Sequence, residues 1–277
     1  MYEILSRHDL ALGIHQFDIA APGVARKAQP GQFVIIMVDE RGERIPLTIA
    51  GWDHDRGSVS IVFNTVGTTT RKLADLQAGD SILSFSGPLG LPAEIKKFGT
   101  VVAVSVGYSV VTNLPVVRAL KEAGNRVVSI IRAPGSDSLF GQEALQEVSD
   151  RLIVVTGDGS YGECGFITEP LKEVLQQESV DRVVTVGPVC VMKLVAATTR
   201  PHGVATVASL NPIMVDGTGM CGCCRVTVAG ETRFACVDGP EFDAHDVDWN
   251  SLLARRCTYA STEQARARYR CLDCAQW

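Results

Sequence analysis

The chain has 277 residues, with 26 Lys and Arg against 31 Asp and Glu, a formal net charge of -5 and a pI near 5.6. No basic footprint for nucleic acid is present, and the length points to two or three domains. Apolar stretches such as "TVVAVSVGYSVVTNLPVV" (100–117) are broken by Ser, Gly, Asn and Pro, which predicts no membrane span; the start "MYEILSRHDLALG" lacks a secretory signal, so a cytoplasmic location is expected.

Residues 1–97 read as short strands, "YEILSRHDL", "IHQFDIA", "QFVIIMV", "RIPLTIAGW", "GSVSIVFNTV" and "DSILSFSG", punctuated by Pro30-Gly31, Asp55-Arg56-Gly57 and Gly79-Asp80. Regular short strands of this kind predict an antiparallel β-barrel. Over residues 98–210 the pattern changes to Val/Ile-rich strands alternating with amphipathic helices, which predicts a parallel α/β sheet covered on both faces. Thr168 is the expected N-cap of a helix with Pro170 in its first turn, and Gly124 the expected stop of the helix carrying Ala119 and Leu120. The fold class is therefore β plus α/β, followed by a third, small region at 211–277.

That third region holds "DGTGMCGCCRVTVAGETRFAC" (216–236), containing a hairpin "RVTVAGETRFAC", and a charged tail. In a reducing compartment nine cysteines, five of them between 221 and 257, point to metal binding rather than disulfides. Cys221 and Cys224 have the two-residue gap that aims two sulfurs at one centre, and Cys236 returns after eleven residues. Glycines 217, 219 and 222 let backbone N–H groups approach inorganic sulfide, a need that structural zinc lacks, so a 2Fe-2S cluster is favoured over zinc. Cys223 and Asp216 are the candidates for the fourth ligand. Adjacent residues of an extended loop point to opposite sides, which disfavours Cys223, and Asp216 stands five residues before the CxxC pair, where binuclear iron-sulfur loops commonly begin.

A barrel, an α/β domain and a cluster loop in this order resemble the ferredoxin-NADP reductase-like electron-transfer subunits along the whole chain. Within them, "ERIPLTIA" (43–50), "DGSYGECGF" (158–166), "VGPVCVMK" (186–193) and "SLNPIMVDGTGMCGCCRV" (209–226) are similar to the small subunits of NADH-dependent reduced ferredoxin:NADP oxidoreductases, and more distantly to the electron-transfer subunits of dihydroorotate dehydrogenases. The resemblance implies an aspartate ligand at Asp216. It also implies FAD between barrel and α/β domain, with Pro46, Leu47 and Thr48 beside the isoalloxazine and Gly67, Thr68, Thr69 and Thr70 at the pyrophosphate. The stretch "VGTTTRKL" suits that role through backbone N–H groups and three hydroxyls. The arginine usual three residues before the Ser/Thr at the flavin is displaced by Ile45, with Arg44 preceding it.

The family's glycine-rich loop after the first α/β strand is replaced by "SVGYS" (105–109), where only Gly107 remains. Ser105, Val106, Tyr108 and Ser109 are expected to narrow or fill a dinucleotide site. Three readings follow: NAD(H) in a modified pose, another ligand, or a relay-only subunit that keeps FAD and cluster. Asp158, Gly159, Ser160, Gly187 and Pro188 lie where strand ends face a nicotinamide, and Arg132 is the one candidate for a phosphate. The expected activity is an NAD(P)H-dependent oxidoreductase subunit moving electrons through FAD and a 2Fe-2S cluster to or from a larger flavin and iron-sulfur partner subunit. The five histidines show no ligand spacing, and Cys257, Cys271 and Cys274 are candidates for a second redox or metal motif.

Overall fold

A computed structural model describes residues 1–256; Cys257, Cys271 and Cys274 lie outside the described residues. The first part is built from β1 (Tyr2–Ala11), β2 (Ile14–Ala20), β3 (Phe33–Met37), β4 (Ile45–Asp53), β5 (Ser58–Asn64), β6 (Ser81–Ile82) and β7 (Ser84–Leu89), with short helices α1 (Pro22–Ala25) and α2 (Thr68–Ala74). The strands form one antiparallel sheet in the order β6-β1-β2-β5-β4-β3-β7. The sequence reads residues 80–87 as one strand, but the chain bends at Leu83, whose N–H goes to Val38 O. One piece pairs with β1 and the other with β3, so the two ends of the sheet are consecutive chain and the sheet curls on itself. Its interior packs Phe17, Ile19, Ile36, Ile61, Phe63 and Phe85.

The second part carries β8 (Thr100–Val106), α3 (Ser109–Thr112), α4 (Leu114–Glu122), β9 (Arg126–Ala133), α5 (Gln142–Glu147), β10 (Arg151–Thr156), β11 (Glu163–Cys164), α6 (Thr168–Gln177), β12 (Arg182–Val186), α7 (Val189–Thr199) and β13 (Ala205–Ser209). Helix α4 ends as expected, with Gly124 at φ 85° donating to Lys121 O. Helix α6 does not take Thr168 as its cap. Thr168 is its first residue, and the Glu169 side chain reaches back to accept the Phe166 N–H at 3.1 Å.

Beyond Asn211 come the hairpin β14 (Arg225–Val228) and β15 (Glu231–Phe234), then β16 (Glu241–Asp243) and α8 (Trp249–Arg256). Strand β16 pairs antiparallel with β13, giving a second sheet ordered β11-β10-β9-β8-β12-β13-β16 whose other strands run parallel. The two edge strands β11 and β16 were not readable in sequence, because two or three residues are too few to show an alternation. One apolar cluster crosses all three parts: Phe33 and Ile35 of β3, Met192 and Ala196 of α7, Cys224, Cys236, Trp249 and Leu252. Among the described residues no helix is long and apolar enough to cross a membrane.

Candidate functional site

The cysteine loop is organised around Asp216. Its Oδ1 accepts the Thr218 N–H at 2.9 Å and its Oδ2 the Cys221 N–H at 2.9 Å. These bonds, the Thr218 one foremost, hold the carboxyl below the usual carboxylate range. Each oxygen keeps lone-pair capacity for a cation. Gly217 and Gly219 take φ of 76° and 83°; a Cβ at Gly217 would lie 2.7 Å from Leu89 Cδ1 and 2.9 Å from Ile35 Cγ1, so only glycine lets this loop settle onto β3 and β7.

Cys224 and Cys236 enter the shared core, 2% and 1% exposed. Their sulfurs are 3.1 Å apart, against ~3.8 Å for two thiolates at ~2.3 Å from one tetrahedral metal. Burial, with Cys224 beside it, pushes the Cys236 thiol up to about 12. Two adjacent buried thiols, their sulfurs facing each other, suit a site where a cation balances them. Cys221 is exposed beside Asp216, and Cys223 turns into a small recess lined by Pro212, Ile213, Leu252, Arg255 and Arg256. Among the described residues no three His, Cys, Asp or Glu side chains converge as a site for one metal ion. The donors instead lie as Asp216 with Cys221, which Cys223 also reaches, and as Cys224 with Cys236, a set suited to two irons.

On the barrel, Pro46, Leu47 and Thr48 are partly exposed along β4, opposite Ile35, Val34 and Phe33 of β3. Helix α3 packs against β4 and β5, so this strand lies at the seam between the barrel and the α/β part. At Gly67 a Cβ would meet nothing within 4 Å, leaving room above its backbone. The three threonines divide their tasks. Thr70 Oγ1 accepts the Val66 and Gly67 N–H groups at 3.0 and 2.9 Å, Thr69 is buried with its hydroxyl toward Glu43, and Thr68 alone is exposed. Of the three hydroxyls read as a phosphate cradle, two therefore shape the loop from behind.

In the 105–109 loop three of the four side chains expected to obstruct a dinucleotide, all but Tyr108, point away from the surface. Ser105, Val106 and Ser109 are 2–3% exposed and turned inward: Ser105 Oγ accepts from Asn113 Nδ2, and Ser109 Oγ accepts the Val106 N–H and donates its one hydrogen to Val186 O. Gly107, at φ 63°, has open space where a Cβ would be, and only Tyr108 reaches the surface. Asp158 closes an exposed turn, accepting the Ser160 N–H and hydroxyl at 3.0 and 2.6 Å, and these bonds lower its pKa. Gly159 is exposed beside Cys164, and Gly187 is buried between Val106 and Ser109. Arg132 is not displayed to a phosphate. It is 6% exposed, donates Nε–H to Gly165 O at 3.1 Å and lies over the Phe166 ring.

Asn211 was missed by sequence reasoning. Its Nδ2 donates to Gly187 O at 3.3 Å and its main-chain carbonyl accepts from Arg256, tying the turn after β12 to the cysteine region. No local pattern marks such a residue, because its partners lie 24 and 45 positions away.

Residues 211–248 match the family model described as the iron-sulfur cluster binding domain of dihydroorotate dehydrogenase B. A Thermotoga maritima protein named dihydroorotate dehydrogenase B (NAD(+)), electron transfer subunit homolog, is 44% identical over 262 residues, covering 95% of this chain and 93% of its own. A chain from the solved NADH-dependent reduced ferredoxin-NADP oxidoreductase, studied for flavin-based electron bifurcation, is 42% identical with a TM-score of 0.91, covering 97% of this chain and 96% of its own. A ferredoxin NADP+ reductase from Neisseria gonorrhoeae, solved with FAD and NADP, shares the fold at 19% identity and a TM-score of 0.61, covering 73% and 91%.

Proposed function

The chain belongs to the family of dihydroorotate dehydrogenase B electron-transfer subunits and their homologues, and from that premise we propose how its residues divide the work. It is an oxidoreductase subunit with FAD and a 2Fe-2S cluster, relaying electrons between NAD(P)H and a larger partner subunit. When bound, FAD exchanges a hydride with the nicotinamide and single electrons with the cluster.

We assign Asp216 and Cys221 to one iron and Cys224 and Cys236 to the other. Pro46, Leu47 and Thr48 line the flavin ring, Gly67 to Thr70 carry the pyrophosphate, and Gly107, Asp158, Gly159 and Gly187 border the nicotinamide dinucleotide. The chain is divided accordingly into an FAD barrel (1–97), a nucleotide domain (98–210) and a cluster region (211–277). The observation that carries this reading is the Asp216 loop: an ionised carboxylate pre-oriented by two N–H groups, in sequence spacing with a buried thiol pair. Cross-strand pairing of β3 with β4, and the seat of Gly217 on Ile35, leave one strand between the cluster loop and the flavin residues.

The inward-turned serines favour nucleotide binding over the relay-only alternative. We further assign NAD(H) rather than NADP(H). Beyond β9 stands exposed Asp137, whereas Arg132 is committed to Gly165, so a 2′-phosphate meets an acidic side chain and a 2′-hydroxyl meets an acceptor. Exposed Ile213, Val215, Met220 and Val237 ring the cluster loop and form the expected docking face for the partner.

Anaerobic titration of the purified protein with NADH and then NADPH, followed through flavin bleaching, tests the assignment. Near-stoichiometric bleaching by NADH and weak bleaching by NADPH is expected. Bleaching by dithionite alone rejects nucleotide binding in favour of the relay-only subunit.

A further inference from the structure

Three side chains near the β1–β2 hairpin, on the same sheet face as Phe17 and Phe63, connect the two ends of the segment 65–76. Arg7 of β1 donates from Nη1 to Ala74 O and Leu76 O at 2.6 and 2.9 Å, the last carbonyls of α2 and its exit, and from Nε to Asp9 Oδ1 at 3.1 Å. Asp9 is the direct cross-strand neighbour of His15 on β2, and its Oδ1 lies 2.6 Å from His15 Nδ1. On its other side, His15 Nε2 lies 3.1 Å from Thr65 Oγ1, two residues before Gly67. Thr65 is also held through its N–H by Gly13 O of the hairpin turn. The ring of His15 leans on Phe63, and Arg7 lies over Phe17, so both are braced by the barrel's own aromatic residues. Arg7 and His15 are mostly buried, with side chains 18% and 12% exposed.

We propose that Arg7, Asp9 and His15 are positioning residues that fix the segment 65–76 from both ends and thereby set how tightly the flavin dinucleotide is held, without touching it. This rests on the assignment of Gly67 to Thr70 to the pyrophosphate. A helix of seven residues has little stability of its own, so the shape of the loop before it depends on tertiary partners. Leu73 and Thr69 anchor the buried side. The hydrogen-bonded chain anchors the rest, and its links involve charged groups, which are stronger than neutral ones.

The test uses the full-length protein with its cluster, and reads the FAD dissociation constant and release rate from the fluorescence of freed flavin. His15→Ala and Arg7→Ala are expected to weaken FAD binding by about tenfold or more. His15→Gln, whose amide still reaches Thr65, restores most of it, while the urea midpoint and cluster absorbance stay near those of the parent. Gly67→Val, which fills the open space at the loop, serves as the test of the pyrophosphate assignment. Unchanged affinity in H15A and R7A with weakened affinity in G67V overturns the positioning role alone. Unchanged affinity in all three overturns the assignment of the loop as well. A weakening that tracks a fall in the urea midpoint and is not rescued by H15Q marks a general loss of stability and also overturns the proposal.

Discussion

As the proposed ligand, the Asp216 carboxylate would give iron less electron density than a thiolate, so the cluster's potential is expected above that of an all-cysteine centre. Asp216→Cys should shift the midpoint downward, toward the ~-400 mV of plant-type ferredoxins; an EPR-monitored redox titration reads the shift, and an unchanged midpoint removes Asp216 from the ligand set. Asp216 could be singled out from sequence because its distance to Cys221 is local, five residues along one loop. Arg132 was misread for the opposite reason. Its direction is fixed by Gly165 O and the Phe166 ring, more than 30 positions away, and nothing around "IIRAP" encodes that choice. Ser105 and Ser109 share this fate: their hydroxyls serve Asn113, Val106 and Val186, contacts that only the folded strand ends create.

Among the elements, the hairpin β14–β15 was legible because alternation and the Ala229-Gly230 pair sit within twelve residues. Both turn residues take positive φ, 51° and 78°, as a two-residue hairpin turn demands. Gly230 does so freely, whereas Ala229 bears the steric cost of the left-handed region. Ala229→Asn is expected to stabilise the protein by about 0.5–1 kcal/mol, since Asn tolerates that region and suits the first turn position; a rise in urea midpoint with unchanged slope checks it. The long strands of both sheets were equally plain from their Val/Ile content. The bend at Leu83 was not, because the residues on either side continue one alternation while their hydrogen-bond partners change from β1 to β3.

On the scale of the whole molecule, the three parts meet around Glu241 of β16, Arg182 of β12 and Glu94 of the connection between barrel and α/β part. Arg182 binds Glu94 at 3.1 Å, and burial pushes the Glu241 carboxyl up to about 7 despite the nearby guanidinium. A carboxyl whose folded pKa exceeds its unfolded value keeps its proton in the native state, so the native state binds more protons between pH 4.5 and about 7. Stability from this group is greatest below that window and declines as pH rises through it, at up to about 1.4 kcal/mol per pH unit. Glu241→Gln should flatten this decline in urea midpoints taken from pH 4.5 to 7.5; a parallel pH profile for variant and parent rejects it. The core that joins Phe33, Met192, Trp249, Cys224 and Cys236 also bears on biogenesis. Because two of the proposed sulfur ligands belong to a core shared by all three parts, seating of the cluster and docking of those parts are expected to be one coupled event.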